Sequence, residues 1–104
     1  IDLGNIVFCS GQIPINPATG TMPEGITAQT EQSVANVKAL LKSIGLGLEN
    51  VVKTTVFLAD IADFAAMNEV YASHFTEPFP ARSAVAVKDL PKGALVEIEV
   101  IAAR

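Results

Sequence analysis

The sequence predicts an α+β domain in which a mixed β-sheet carries two helices packed on one of its faces. Strand-like and helix-like segments alternate along the chain, and each helical segment forms a crossover between strands. The last strand alternates an apolar row with a mixed one. The 104 residues allow a single domain, expected to span 1–104. Its N-terminus is left open to extension because the sequence begins at Ile1 rather than Met.

A short apolar strand is predicted over Asn5–Ser10, and the chain is expected to stay extended from Gly11 to Ile15. The residues Asn16-Pro17-Ala18-Thr19-Gly20 are typical of a turn, so Thr21 and Met22 are expected to return as a hairpin arm. A helix is predicted next, over Thr27–Ile44, with Gly45 as its stop. Its apolar face recurs at helical spacing and consists of Val34, Val37, Leu41 and Ile44.

A buried strand is predicted over Val51–Leu58, which is rich in Val, Thr and Phe. Asp60 then provides an N-cap for a second helix that ends before Pro78 and Pro80. The inner stripe of this helix is Phe64, Met67, Tyr71 and His74/Phe75. Two further strands are predicted over Arg82–Lys88 and Leu95–Ala103, joined by a connection long enough for a loose hairpin.

Alternation along these last two strands predicts which rows face the helices. On the final strand the apolar row is expected to pack on them, and it consists of Val96, Ile98, Val100 and Ala102. The mixed row, with Glu97 and Glu99, is left for an uncovered face that forms a subunit interface with a pocket. On the preceding strand the row of Ser83, Val85 and Val87 is expected to face the helices. Arg82, Ala84, Ala86 and Lys88 would then lie on the uncovered face with Glu97.

Arg82 is the leading candidate for a functional residue. A proline-stiffened turn, Pro78-Phe79-Pro80, delivers it to the start of a strand of small apolar residues. Its planar fork of donors matches a carboxylate or a phosphate, which favours an anion site, although a structural ion pair is an equal alternative. Glu97 and Glu99 are either acid–base groups near that anion or two solvated strand glutamates.

Composition narrows the possible functions. Seven Lys and Arg against eleven Asp and Glu give a net charge of −4, with no basic run, which disfavours nucleic-acid binding. Only 17% of residues are charged and the mean hydropathy is +0.42, so we expect self-association. The single Cys9 forms no internal disulfide and fits a reducing compartment. No membrane span or signal peptide is visible, and a cytoplasmic location is expected.

Seven short motifs resemble the Rid family, the reactive intermediate deaminases of YjgF type, and most closely its archetypal imine-deaminase branch. In order they are Leu3-Gly4-Asn5, Ser10-Gly11-Gln12-Ile13-Pro14, Gln32-Ser33, Asn36-Val37, Val52-Lys53-Thr54-Thr55-Val56, Phe79-Pro80-Ala81-Arg82-Ser83 and Val96-Glu97-Ile98-Glu99. The resemblance implies a chorismate-mutase-like fold, a homotrimer with a central β-barrel, and ligand clefts between subunits. The implied activity is hydrolysis of 2-iminobutanoate and 2-iminopropanoate to 2-oxo acids and ammonia, without metal or cofactor. These imines arise from pyridoxal-phosphate dehydratases.

Carried onto this chain, the resemblance gives Arg82 the substrate carboxylate and Glu97 the attacking water. The backbone at Gly11 and Ala84 would line the imine, and Ser10 would add a hydroxyl or shape the wall. Asn68 also matches a family position near the cleft, with a polar helix residue that caps a loop as its alternative. This chain has Ala84 where many members have Cys, a connection at Thr76–Phe79 that looks shorter, and no assignable counterpart of a cleft tyrosine in the family's N-terminal segment.

Two other functions are compatible with the sequence. The same arginine site in a non-catalytic module would bind a 2-oxo acid or an amino acid for regulation. An endoribonuclease or translation inhibitor, as sometimes ascribed to the family, is the weakest alternative because the chain is acidic.

Overall fold

The computed structural model describes residues 1–104 as four strands, two helices and three short 3₁₀ turns. The elements in chain order are β1 Ile6–Gln12, α1 Ile26–Lys42, β2 Val51–Leu58, α2 Phe64–His74, β3 Ala81–Ala86 and β4 Val96–Ala103. The 3₁₀ turns lie at Leu48–Asn50, Ile61–Asp63 and Pro91–Gly93. The predicted α+β class, with a mixed sheet and two helices, is confirmed. Neither helix is long and apolar enough to cross a membrane.

The sheet has the order β1-β4-β2-β3, with β2 and β3 parallel and β4 antiparallel to both of its neighbours. The expected hairpin between β3 and β4 is therefore wrong, because β2 lies between them. The connection from β3 to β4 crosses the end of β2. The Val87 N–H donates to the Leu58 carbonyl at 2.9 Å, and the Ala59 N–H donates to the Leu95 carbonyl at 3.0 Å.

The expected hairpin arm at 21–22 is also wrong as a strand, since only an isolated bridge joins Asn16 and Thr21. The extended segment before this turn bonds to α1 instead of to a second strand. The Asn36 side-chain amide donates to the carbonyls of Ile13 at 3.1 Å and Ile15 at 2.9 Å. These bonds satisfy backbone groups that a hairpin partner would otherwise take.

Both helices begin and end close to their predicted limits. α1 ends at Lys42, so Ile44 lies beyond it and is 37% exposed instead of joining the core. Asp60 caps the 3₁₀ turn that precedes α2, where its carboxylate accepts from the Ala62 N–H at 2.9 Å. At the other end of α2, His74 contacts α1 through Glu31 and Lys38, at 2.8 and 3.0 Å.

Both helices pack on the same side of the sheet, which we call the closed face; the opposite side is the open face. The predicted inner row of β4 lies on the closed face and is at most 2% exposed, and it consists of Val96, Ile98, Val100 and Ala102. It joins one core cluster with Val34, Val37 and Leu41 of α1 and Met67 and Tyr71 of α2. On the open face, large apolar side chains stay accessible, Phe8 at 46% and Val85 at 45%.

The prediction for the two rows of β3 is wrong. Arg82 pairs in register with Thr54 and Ala84 pairs with Val56. Thr54 and Val56 are both fully buried, beneath the helices. Paired residues of neighbouring strands point to the same side, so Arg82 and Ala84 belong to the closed face and Val85 to the open face. Apart from Arg82, both rows of β3 consist of small or apolar residues, so their hydropathy does not distinguish them, whereas the strand register does.

Candidate functional site

Arg82 lies at the start of β3, where its side chain reaches over one stripe of α2. Its Nη1 donates to the Asn68 Oδ1 at 2.5 Å. Its Cζ lies 4.7 Å from the centroid of the Tyr71 ring and 5.5 Å from that of Phe64. Phe64, Asn68 and Tyr71 recur at the i, i+4, i+7 spacing of one helix face. Helix α2 therefore supplies the hydrogen-bond partner of this guanidinium and both aromatic rings beside it.

A cavity of about 370 Å³ opens beside this guanidinium, at the low end of the range for ligand pockets. Its lining residues are Asn68, Tyr71, Ala72, Phe75, Phe79, Pro80 and Arg82. The bond to Asn68 is the single side-chain hydrogen bond of Arg82, so the Nε and Nη2 donors have no protein partner. Arg82 has no carboxylate within salt-bridge distance, so the structural ion pair that its sequence context allowed does not form. An unpaired guanidinium edge at an apolar cavity can bind a carboxylate bidentately.

Tyr71 is held firmly beneath Arg82. Its ring stacks on Phe75 with centroids 4.5 Å apart, and its hydroxyl lies 2.8 Å from the hydroxyl of buried Thr54. Burial raises the pKa of Tyr71, while the Thr54 hydrogen bond and the nearby Arg82 charge oppose that rise. The phenol therefore keeps its proton at neutral pH.

Glu97 lies on the open face, opposite Arg82, and packs against Gly11 of β1. A Cβ built on Gly11 would collide with the Glu97 carboxylate. β1 and β4 lose their regular register between Cys9 and Gln12, and Gly11 lies in that irregular stretch. Gly11 thus lets the carboxylate fold down over the β1 backbone, where any larger residue would displace it.

The remaining predicted residues divide between the two faces. Asn68 lies beside Arg82, bonded to it, rather than capping a loop. Ala84 follows in the same row of β3 and packs partly buried against the core. Ser10 lies near Glu99 and Lys53 in a second cavity, of about 280 Å³. Within one chain, the structure brings together Arg82 with Asn68 and Glu97 with Gly11, but not Arg82 with Glu97.

Sequence reasoning missed Tyr71 and Phe64 as neighbours of the arginine and assigned both only to the helix stripe. A signal existed in their spacing around Asn68, which puts all three on one helix face. The single cysteine, Cys9, is partly buried on β1, and this burial raises the pKa of its thiol, which disfavours a nucleophilic thiolate. No group of three or more His, Cys, Asp or Glu side chains is arranged to hold a metal ion.

The chain matches the endoribonuclease L-PSP family over residues 1–104. The chain belongs to this family, also called the YjgF/Rid family. This membership confirms the resemblance that its motifs carried.

Individual members of the family are similar over nearly the whole chain. The 2-iminobutanoate/2-iminopropanoate deaminase of Escherichia coli K12 is 51% identical over 107 residues, covering 100% of this chain and 84% of the relative. The crystal structure of the YjgF gene product from E. coli superposes with a TM-score of 0.95, at 51% identity and with 100% and 84% coverage. E. coli TdcF with bound serine gives a TM-score of 0.94, at 45% identity and with 100% and 84% coverage.

Proposed function

We propose that this protein hydrolyses reactive 2-imino acids, such as 2-iminobutanoate and 2-iminopropanoate, to 2-oxo acids and ammonia. The name of its E. coli and Salmonella typhimurium relatives, 50–51% identical over 100% of this chain, supports this activity and an enzyme acting on C=N bonds. The observation that carries the proposal to this chain is the free Nε–Nη2 edge of Arg82 beside an apolar cavity. This arrangement suits a small acid with a short apolar side chain.

Arg82 binds the carboxylate that all 2-imino acids share. A bidentate charge-assisted contact with the free guanidinium edge contributes on the order of 1.5–3 kcal/mol. Asn68 holds Nη1 and thereby fixes which edge faces the substrate. Both interactions locate the imine carbon relative to the protein without taking part in bond making.

Glu97 directs the attacking water from a neighbouring subunit. In a single chain Arg82 and Glu97 point to opposite faces of the sheet, so a site that uses both needs two copies. The accessible apolar side chains Phe8 and Val85 of the open face support burial of that face in a homotrimer with a central β-barrel. The Arg82 edge of one subunit then meets the Glu97–Gly11 surface of the next.

The reaction needs no redox partner and little machinery. Water adds to the electrophilic carbon of the protonated imine, and Glu97 takes one proton from that water. The resulting tetrahedral carbinolamine carries the new C–O bond. Glu97 returns that proton to nitrogen and is then free to accept the proton of the new hydroxyl. As the C–N bond breaks, the hydroxyl gives its proton to Glu97, the C=O bond of the 2-oxo acid forms, and ammonia leaves and takes up the proton from Glu97 as ammonium. Backbone groups at Gly11 and Ala84 line the reacting carbon, and Ser10 shapes the wall on the Glu97 side.

The protein acts on imines that pyridoxal-phosphate dehydratases release, and we place it in the cytoplasm with them. Its partners are the small acid and its own copies. Nucleic acid is not among them, because the net charge is −4.

The direct test measures ammonia release from enamines that a threonine dehydratase generates in the same cuvette. Wild-type protein is expected to accelerate release over the spontaneous reaction. Arg82→Ala is expected to lower kcat/KM by about 10- to 150-fold, equivalent to the 1.5–3 kcal/mol of the lost contact. The matched control is Arg104→Ala, which removes a surface arginine paired with Asp2 and leaves the cavity intact. Sedimentation must show the same assembly for both variants. If wild type does not accelerate ammonia release, the proposed deaminase activity is refuted.

A second candidate function is regulatory binding of a 2-oxo acid or an amino acid without turnover. The structure of E. coli TdcF with bound serine favours it, since a relative 45% identical binds an amino acid. In that case wild type binds 2-oxobutanoate in calorimetry, Arg82→Ala does not, and neither changes ammonia release. The family's endoribonuclease description favours a third activity, against which the acidic charge balance argues.

A further inference from the structure

Arg82 enters the cavity from an edge strand and is exposed, so its long side chain needs support to hold one orientation. A free arginine side chain carries about 2 kcal/mol of rotamer entropy, which a ligand must overcome if the protein has not already restricted it. Three interactions restrict it here: the hydrogen bond to Asn68, the contact with the Phe64 ring at 5.5 Å and the closer contact with the Tyr71 ring at 4.7 Å. The Asn68 bond fixes one nitrogen, and the Tyr71 ring is the nearer of the two aromatic rings beside the guanidinium carbon.

Tyr71 is itself tied to the strand pair that carries Arg82. Its hydroxyl bonds to Thr54, which is fully buried and is the register partner of Arg82 across the β2–β3 pair. The Tyr71 ring also stacks on Phe75. A closed loop of contacts therefore runs from Arg82 to the Tyr71 ring, through the phenol to Thr54, and back to Arg82 along the sheet.

We propose that Tyr71, anchored by Thr54, is a positioning residue that sets the orientation of Arg82 for the substrate carboxylate. The proposal rests on the proposed role of Arg82 as carboxylate binder. It assigns a function to a phenol and a threonine hydroxyl that otherwise look like ordinary packing. Their removal weakens carboxylate binding through the arginine, because the guanidinium then samples orientations that do not meet the ligand.

The test measures Kd for 2-oxobutanoate by calorimetry, together with kcat and KM for deamination. Tyr71→Leu removes the ring and is expected to raise Kd and KM roughly tenfold, as expected for a lost cation–π contact and lost orientation. The value of kcat is expected to stay near wild type, since the carboxylate is held equally in the ground and transition states. Tyr71→Phe keeps the ring and is expected to raise Kd only about two- to threefold.

The anchor is tested at Thr54. Thr54→Val removes the hydroxyl at nearly constant shape and is expected to raise Kd about two- to threefold, as Tyr71→Phe does. Thr54→Ser restores the hydroxyl and is expected to restore Kd. Combining Thr54→Val with Tyr71→Phe is expected to add nothing to the effect of either change alone, because both break the same bond.

The control for general destabilisation is Val70→Ala, which removes buried apolar atoms from α2 and is not among the contacts of Arg82. It is expected to lower the urea midpoint and leave Kd unchanged. Wild-type Kd in a folded Tyr71→Leu variant overturns the proposal, and so does an equal loss of affinity in Val70→Ala. The binding assay keeps this test separate from the proposed activity. If wild type binds 2-oxobutanoate through Arg82 without turnover, deamination fails while the Kd comparison still decides the role of Tyr71.

Discussion

The two faces of the sheet are formed by the same alternating strands but differ in how completely they are covered. The closed face is covered by the two helices, and the inner row of β4 is at most 2% exposed beneath them. The open face carries Glu97 and Glu99 next to accessible Phe8 and Val85, too apolar for water alone and too charged for a core. One proposed catalytic residue belongs to each face. The sheet therefore separates Arg82 from Glu97 within a chain, so the proposed site takes them from two copies.

The largest expected effect is a difference in the free energy of unfolding between two Leu→Ala substitutions, one at a buried position and one at a partly exposed position. Leu58→Ala empties a fully buried position on the closed face, which is expected to lower the free energy of unfolding by about 2–5 kcal/mol. Leu40→Ala, at a position 38% exposed on α1, is expected to cost less than about 1 kcal/mol. Urea unfolding at fixed protein concentration measures both. Equal costs would contradict tight packing around Leu58 on the closed face.

The next effect belongs to the open face and is on activity. Gly11→Ala puts a methyl group where the Glu97 carboxylate lies, and the flexible side chain swings away. Deamination is expected to fall about tenfold to a hundredfold, the scale of a misplaced catalytic group, while the urea midpoint changes little. Gly47→Ala is the matched control, because its new Cβ meets the Glu49 carboxylate outside the site. Unchanged activity in Gly11→Ala would contradict a role of Glu97 in the reaction.

A smaller effect tests the closed face by pH. Burial raises the pKa of Tyr71 above its unfolded value, so the folded state binds the phenolic proton more tightly. The associated stability is complete below about pH 10, the unfolded pKa, and is lost as pH rises through the folded pKa. The free energy of unfolding, measured in urea, is therefore expected to fall more steeply above pH 10 in wild type than in Tyr71→Phe. Parallel pH profiles for the two proteins would contradict a buried, pKa-shifted phenol.

The smallest expected effect is on stability and concerns the contact between the two helices that cover the closed face. His74 of α2 bridges Glu31 and Lys38 of α1. Because the Lys38 ammonium can only donate, Nδ1 of His74 accepts from it, and Nε2–H of His74 donates to Glu31. Glu31→Gln is expected to lower the free energy of unfolding by about 0.2–1 kcal/mol, the range for exposed pairs. Glu24→Gln, an exposed glutamate without an ion pair, is expected to be neutral. A loss above about 2 kcal/mol would exceed what an exposed pair contributes.

Much of the closed face could be predicted from the sequence, because its signals are local. The limits of β2, the inner row of β4 and the apolar stripe of α1 follow from periodicity within each segment. The facing of β3 could not be predicted in this way. Apart from Arg82, its two rows differ little in hydropathy, and Val85, the largest apolar side chain of the strand, points to the open face.

The position of β4 between β1 and β2 is equally absent from local patterns, because it depends on pairing between distant segments. The candidate site divides in the same way. Arg82 stood out through its proline-rich approach, and Asn68 entered only through the family resemblance. The contact of Tyr71 with both Arg82 and Thr54 depends on the β2–β3 register, which no single segment encodes.

Tyr71 has a practical value that is separate from its role in the fold. It is the only tyrosine of the chain, and the chain has no tryptophan. Its ring lies under the guanidinium and lines the cavity. The near-ultraviolet absorption and intrinsic fluorescence of the unlabelled protein therefore originate mainly at one point, beside the arginine. A ligand that enters the cavity changes the surroundings of this one chromophore, so binding can be followed optically without any added dye.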